Sequence, residues 1–106
     1  MADDNISDFF APPPFKAAEA LVGLKRQLRE LRPLAERGTG QDASYELRGQ
    51  QVIALALDGS KIAARIAKRP AIVPEWESRA IANAADLRKF VDEARKRLAR
   101  WTDQDQ

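Results

Sequence analysis

QVIALALDGSKIAARIAKRP, Gln51 to Pro70, decides the fold, because it can turn back on itself as a β-hairpin or lead through a loop into a short helix. For the hairpin, Asp58-Gly59 is a strong two-residue turn signal, since the tightest hairpin turns need positive φ at their centre. Folding about that dipeptide sets Leu55 opposite Ile62, Ile53 opposite Ala64 and Gln51 opposite Ile66, giving one mostly apolar face. For the helix, Ser60 would cap a segment in which Ile62, Ala63 and Ile66 form a stripe. The hairpin is the better reading. Val52 to Leu57 is a short apolar run that ends in a turn, and a helix from Lys61 to Arg69 would have only about two turns.

Upstream, Tyr45-Glu46-Leu47 followed by Arg48-Gly49 reads as another strand and turn, which makes a meander of three strands. Downstream, AIVPEW is held extended by two prolines, and Trp76 to Ile81 alternates weakly enough to allow a fourth strand. Helices flank the meander. From Phe15 to about Arg32, Ala17, Leu21, Leu24, Leu28, Leu31 and then Ala35 fall at steps of three and four. Pro33 ends or kinks that helix, and Gly38-Thr39-Gly40 is a loop. Near the end, Asn83 and Asp86 resemble a capping arrangement before the stripe Leu87, Phe90, Val91, Ala94, Leu98 and Trp101.

The expected fold class is therefore α+β: an N-terminal helix, an antiparallel meander of three or four strands, and a C-terminal helix, packed as two layers. Residues 1–13 are read as an arm, flexible or docked, residues 14–102 as one domain, and residues 103–106 as a polar tail. A chain of 106 residues suits a single core, and its 44 % hydrophobic content lies far from the disordered range. The arm carries Ile6, Phe9 and Phe10 beside Pro12, Pro13 and Pro14. Two phenylalanines are costly to leave in water, so docking is expected.

Composition excludes more chemistry than it suggests. With no histidine, no imidazole can act as a base, a metal ligand or a switch near neutral pH. With no cysteine, disulfides, thiol nucleophiles and thiolate zinc sites are gone as well. No serine lies in a nucleophile-elbow motif, and adjacent Ser60 and Lys61 would point to opposite faces of a strand. Glu75 with Glu77, and Asp3, Asp4 and Asp8, are the carboxylate groups close in sequence, none of them in a metal loop. No glycine pattern makes a phosphate cradle. We expect no enzyme activity and no cofactor. The acidic start of the chain lacks the basic region of a secretory signal, and no apolar run approaches the roughly 20 residues of a membrane span, so a cytoplasmic location without membrane contact is expected.

Two surfaces remain as candidates. Residues 1–14 carry three acids and no bases, residues 15–69 carry eleven bases against six acids, and the remainder carries seven of each. The basic excess includes Lys25, Arg26, Arg29 and Arg32 on the first helix, with Arg65, Lys68 and Arg69 from the hairpin, a set that could meet phosphates. The last helix instead spaces its charges for pairing, with Arg88 and Asp92, Lys89 and Glu93, Asp92 and Lys96, and Glu93 and Arg97 each four apart. If Ile53, Leu55, Ile62 and Ile66 face the helices, the opposite face carries Val52, Ala54, Ala56, Ala63 and Ala67, interrupted by Arg65. A face so poor in polar groups is expected to be covered by the second helix, by the Phe9-Phe10 arm or by another copy as a homodimer. The expected role is a small non-catalytic protein-interaction module, with nucleic-acid binding through the basic set as the alternative.

Overall fold

The structure is a computed structural model that describes residues 15–38 and 42–103. Helix α1 runs Ala17–Arg29, followed by strands β1 (Ala35–Arg37), β2 (Asp42–Leu47), β3 (Gln50–Asp58), β4 (Lys61–Ala67) and β5 (Trp76–Ile81), and then by helix α2 (Ala84–Asp103). The strands form one antiparallel sheet in sequence order, β1-β2-β3-β4-β5. This is the expected α+β architecture, with five strands where the sequence suggested three or four.

Lys61 to Ala67 is strand, not helix, so the sequence does turn back after β3. The register differs from expectation: Asp58 pairs with Lys61, Leu57 with Ile62, Leu55 with Ala64 and Ile53 with Ile66. The two-residue loop is thus Gly59-Ser60 rather than Asp58-Gly59. Gly59 has φ 61°, and Ser60 is not among the residues with positive φ. A turn that needs positive φ only at its first central residue accepts a glycine there and almost any residue next. Because side chains alternate with a period of two, a two-residue slip leaves the sorting of faces intact.

The preceding hairpin turns at Arg48-Gly49, with φ of 56° and 84°, so both central residues are left-handed. Between Tyr45 and Glu46 the pairing jumps from Ile53 to Gln51, leaving Val52 as an extra residue in β3. Val52 and Ile53 are consequently both buried, against the alternation that would have put Val52 outside.

β1 was not anticipated. By spacing Ala35 continues the stripe of the first helix, but α1 stops at Arg29 and Ala35 lies on the sheet edge, opposite Glu46. A cis Arg32–Pro33 bond lies between the two elements.

Both helices lie on one face of the sheet. There Leu21, Leu24 and Leu28 of α1 and Phe90, Val91, Ala94, Leu98 and Trp101 of α2 join Tyr45, Leu47, Ile53, Leu55, Ile62, Ile66 and Ile81 in one core. The start of α2 is capped as its sequence implied: the Asp86 amide donates to Asn83 Oδ1 at 2.8 Å, and Asp86 Oδ2 accepts from the Ala82 amide at 3.2 Å. Each bond satisfies an amide that the helix itself leaves unpaired. No described helix is long and apolar enough to cross a membrane.

Candidate interaction face

Strand alternation fixes what the other face of the sheet presents. Tyr45, Ile53, Leu55, Ile62, Ala64 and Ile66 point to the helices, so Ser44, Ala54, Ala56, Ala63, Arg65, Ser78 and Ala80 point away. Registered rows cross the strands on this side: Asp42, Ala56, Ala63 and Ala80 form one, and Arg37, Ser44, Ala54, Arg65 and Ser78 the next. Together they line an open trough of about 600 Å³. Ala63 and Ala80 are exposed, and Ala54 and Ala56 are half-buried. No described element covers it. The second helix, one of the three expected covers, is on the other side.

Two residues assigned to this face do not offer it any surface. Val52 and Ala67 are buried, the first as the extra residue of the bulge and the second at the end of β4, opposite Trp76. Phe9 and Phe10 lie outside the described residues, as do Ile6 and the acids Asp3, Asp4 and Asp8. Residues that sequence reasoning missed are Ser44, Ser78 and Ala80, with Arg37 and Lys61 at the rim of the trough. Extending the alternation into β2 and β5 would have found the first three. The indole of Trp76 carries the Arg65 guanidinium 4.9 Å from its ring centre, close enough for a cation–π contact.

The basic set assembled from the sequence is divided. Arg65 is on the trough side, whereas Lys25, Arg26 and Arg29 belong to α1 on the opposite side of the sheet. Arg29 donates to the Lys25 carbonyl and approaches Glu36 at 3.7 Å. Arg26 and Arg32 are exposed, as is Arg69. Lys68 pairs with Glu75 at 3.4 Å. Tyr45 is buried, its hydroxyl donating to Glu36 Oε2 at 2.6 Å. Burial, reinforced by that bond to a carboxylate, pushes its phenol above the ordinary tyrosine range.

The most structured polar group lies on the helix side. Arg79 grips Glu93 with two bonds of 3.1 and 2.9 Å, and Arg97 donates to Glu93 at 2.6 Å, to Glu77 at 2.5 Å and to the Ala67 carbonyl at 2.9 Å. Two guanidinium groups thus neutralise two carboxylates between β5 and α2. The Arg97 bond holds the Glu77 carboxyl below the usual range, and the Glu93 bond raises the Arg79 guanidinium. Glu75 and Glu77, neighbours in sequence, are each matched to a different base. This arrangement binds a helix to a strand. Along α2, Asp92 pairs with Lys96 at 3.0 Å as its spacing suggested, but Glu93 turns to Arg97 and Arg79 rather than to Lys89. Among the described residues, no cluster of carboxylates could hold a metal ion.

Comparison with protein-family models, with curated proteins and with solved structures returns no match.

Proposed function

We propose that this chain is a non-catalytic protein-interaction module of the cytoplasm whose binding surface is the alanine-lined face of the sheet. One observation carries the reading. A five-stranded sheet buries one face under two helices and leaves on the other a floor of alanine and serine, with Arg65 beside it and Arg37, Asp42 and Lys61 around it, and a floor so short of polar side chains favours association. Small side chains give a shallow floor into which larger residues of a partner can pack without first displacing anything. A photo-crosslinking residue in place of Ala63, compared with one in place of Arg26 on α1, tests this in the native host. A defined protein product from position 63 and none from position 26 is expected. Products from position 26 alone would contradict the reading.

A second reading is favoured by the Arg65–Trp76 pair, because an aromatic ring and a guanidinium share the trough side with Arg37 and Lys61. That combination suits a nucleic-acid strand, whose bases stack and whose phosphates seek bases. Binding through phosphates would fall steeply as salt rises, whereas an apolar protein contact would barely respond.

A further inference from the structure

We propose that β5 pairs with β5 of a second copy across a two-fold axis at Ser78, joining two five-stranded sheets into one. This interface uses the backbone edge of the sheet and borders the alanine face, to which β5 contributes Ser78 and Ala80. The two edges differ. β1 is three residues long, whereas β5 has six, without proline or glycine, and its outer side pairs with no described strand. An edge of that kind presents unpaired backbone groups that a further strand can satisfy.

The side chains identify the occupant. Glu77 and Arg79 both point to the helix side, and a single inward charge on an edge would repel its own copy. Opposite charges placed symmetrically about Ser78 do the reverse. Antiparallel pairing about a two-fold axis perpendicular to the sheet must match residues of like face, so only even registers are allowed. Centred on Arg79, the pairing would set two guanidinium groups against each other. Centred on Ser78, it sets Glu77 opposite the partner's Arg79 and Arg79 opposite the partner's Glu77. Both side chains retain surface for this, with Glu77 31 % and Arg79 37 % exposed. The same register places Trp76 opposite the partner's Ala80 on the trough side. It also brings the Ile72-Val73 tip, 90 % and 85 % exposed, to the end of the strand where the partner's α2 begins. Beside that helix start, Phe15, Ala20 and Leu87 line an apolar groove.

The chain has no cysteine, so Ser78→Cys would carry its only thiol. At the axis, two such residues would have Cα atoms about 4.5 to 5.5 Å apart, within reach of a disulfide. The wild-type chain is expected to sediment at twice its 11.8 kDa. Ser78→Cys should link on mild oxidation on the order of ten-fold faster than Asp58→Cys at the hairpin tip, because pairing raises the effective thiol concentration. Ser78→Lys, which sets two ammonium groups together, should sediment as a monomer. A wild-type monomer at every concentration overturns the proposal. So does a dimer whose Ser78→Cys form links no faster than Asp58→Cys, a result that would move the contact to another surface. Loss of the crosslink from position 63 with efficient linking at position 78 would instead remove the alanine-face reading and leave this one standing.

Discussion

The two faces of the sheet are made from the same five strands yet differ in kind. Towards the helices, β3 and β4 present Ile53, Leu55, Ile62 and Ile66, all buried; away from them, the alternate residues are Ala54, Ala56, Ala63 and Arg65. The first set supplies the apolar area that holds two helices in place, at roughly 1.5 to 3 kcal/mol for each large side chain buried. The second supplies little stability and a low, unobstructed surface. On the proposed function, stability and recognition are divided between alternate residues of single strands. A change of one position along the chain should move a substitution from one regime to the other.

Ile66→Ala marks the stabilising extreme. It leaves a cavity in the core, where Ile66 is fully buried, and should lower the unfolding free energy by about 3 kcal/mol in a urea titration. Arg97→Met comes next, since it keeps the stem but leaves Arg79 alone to offset both Glu77 and Glu93; a loss between those of Ile66→Ala and Tyr45→Phe is expected by the same titration. The wild-type contribution also has a pH signature. Because the folded Glu77 carboxyl is lowered, its stabilisation is full above the ordinary carboxylate value of about 4.3 and disappears as pH falls through the lowered one. Arg97→Met should flatten that acid limb.

Tyr45→Phe should cost about 1 kcal/mol, because the hydroxyl joins β2 to β1 through Glu36. The shift of Tyr45 is upward, so the sign is opposite to that of Glu77: its stabilisation is present below the ordinary phenol value of about 10 and is lost as pH rises towards the folded value. Tyr45 is the only tyrosine, and its absorbance should show ionisation only as the chain unfolds in alkali.

Much of this division was legible in the sequence. The stripes of both helices, the cap at Asn83 and the strand either side of Gly59 follow from spacing and turn chemistry, which act locally. The register did not follow, because Asp-Gly and Gly-Ser both form two-residue turns and overlap at Gly59. The bulge at Val52 was hidden because an extra apolar residue in an apolar run leaves no pattern to break. β1 was hidden because three residues are too few to show alternation. Of the Arg79–Glu93–Arg97–Glu77 group only the Glu93–Arg97 pair follows from spacing, because the other half belongs to β5, and which charges meet across elements depends on packing. For the trough, the alanines were visible in β3 and β4, while its serines needed the alternation of β2 and β5, and Arg37 at its rim needed the unanticipated β1.

The most direct test of the division is the double variant Ala56→Lys, Ala63→Glu, which alternates the charges along the row that begins at Asp42, carried through urea unfolding and through the crosslinking assay together. The prediction is an unfolding free energy within about 0.5 kcal/mol of the wild type, as for surface changes generally, combined with loss of the crosslinked partner. A loss of stability approaching that of Ile66→Ala, or a partner retained in full, would contradict it.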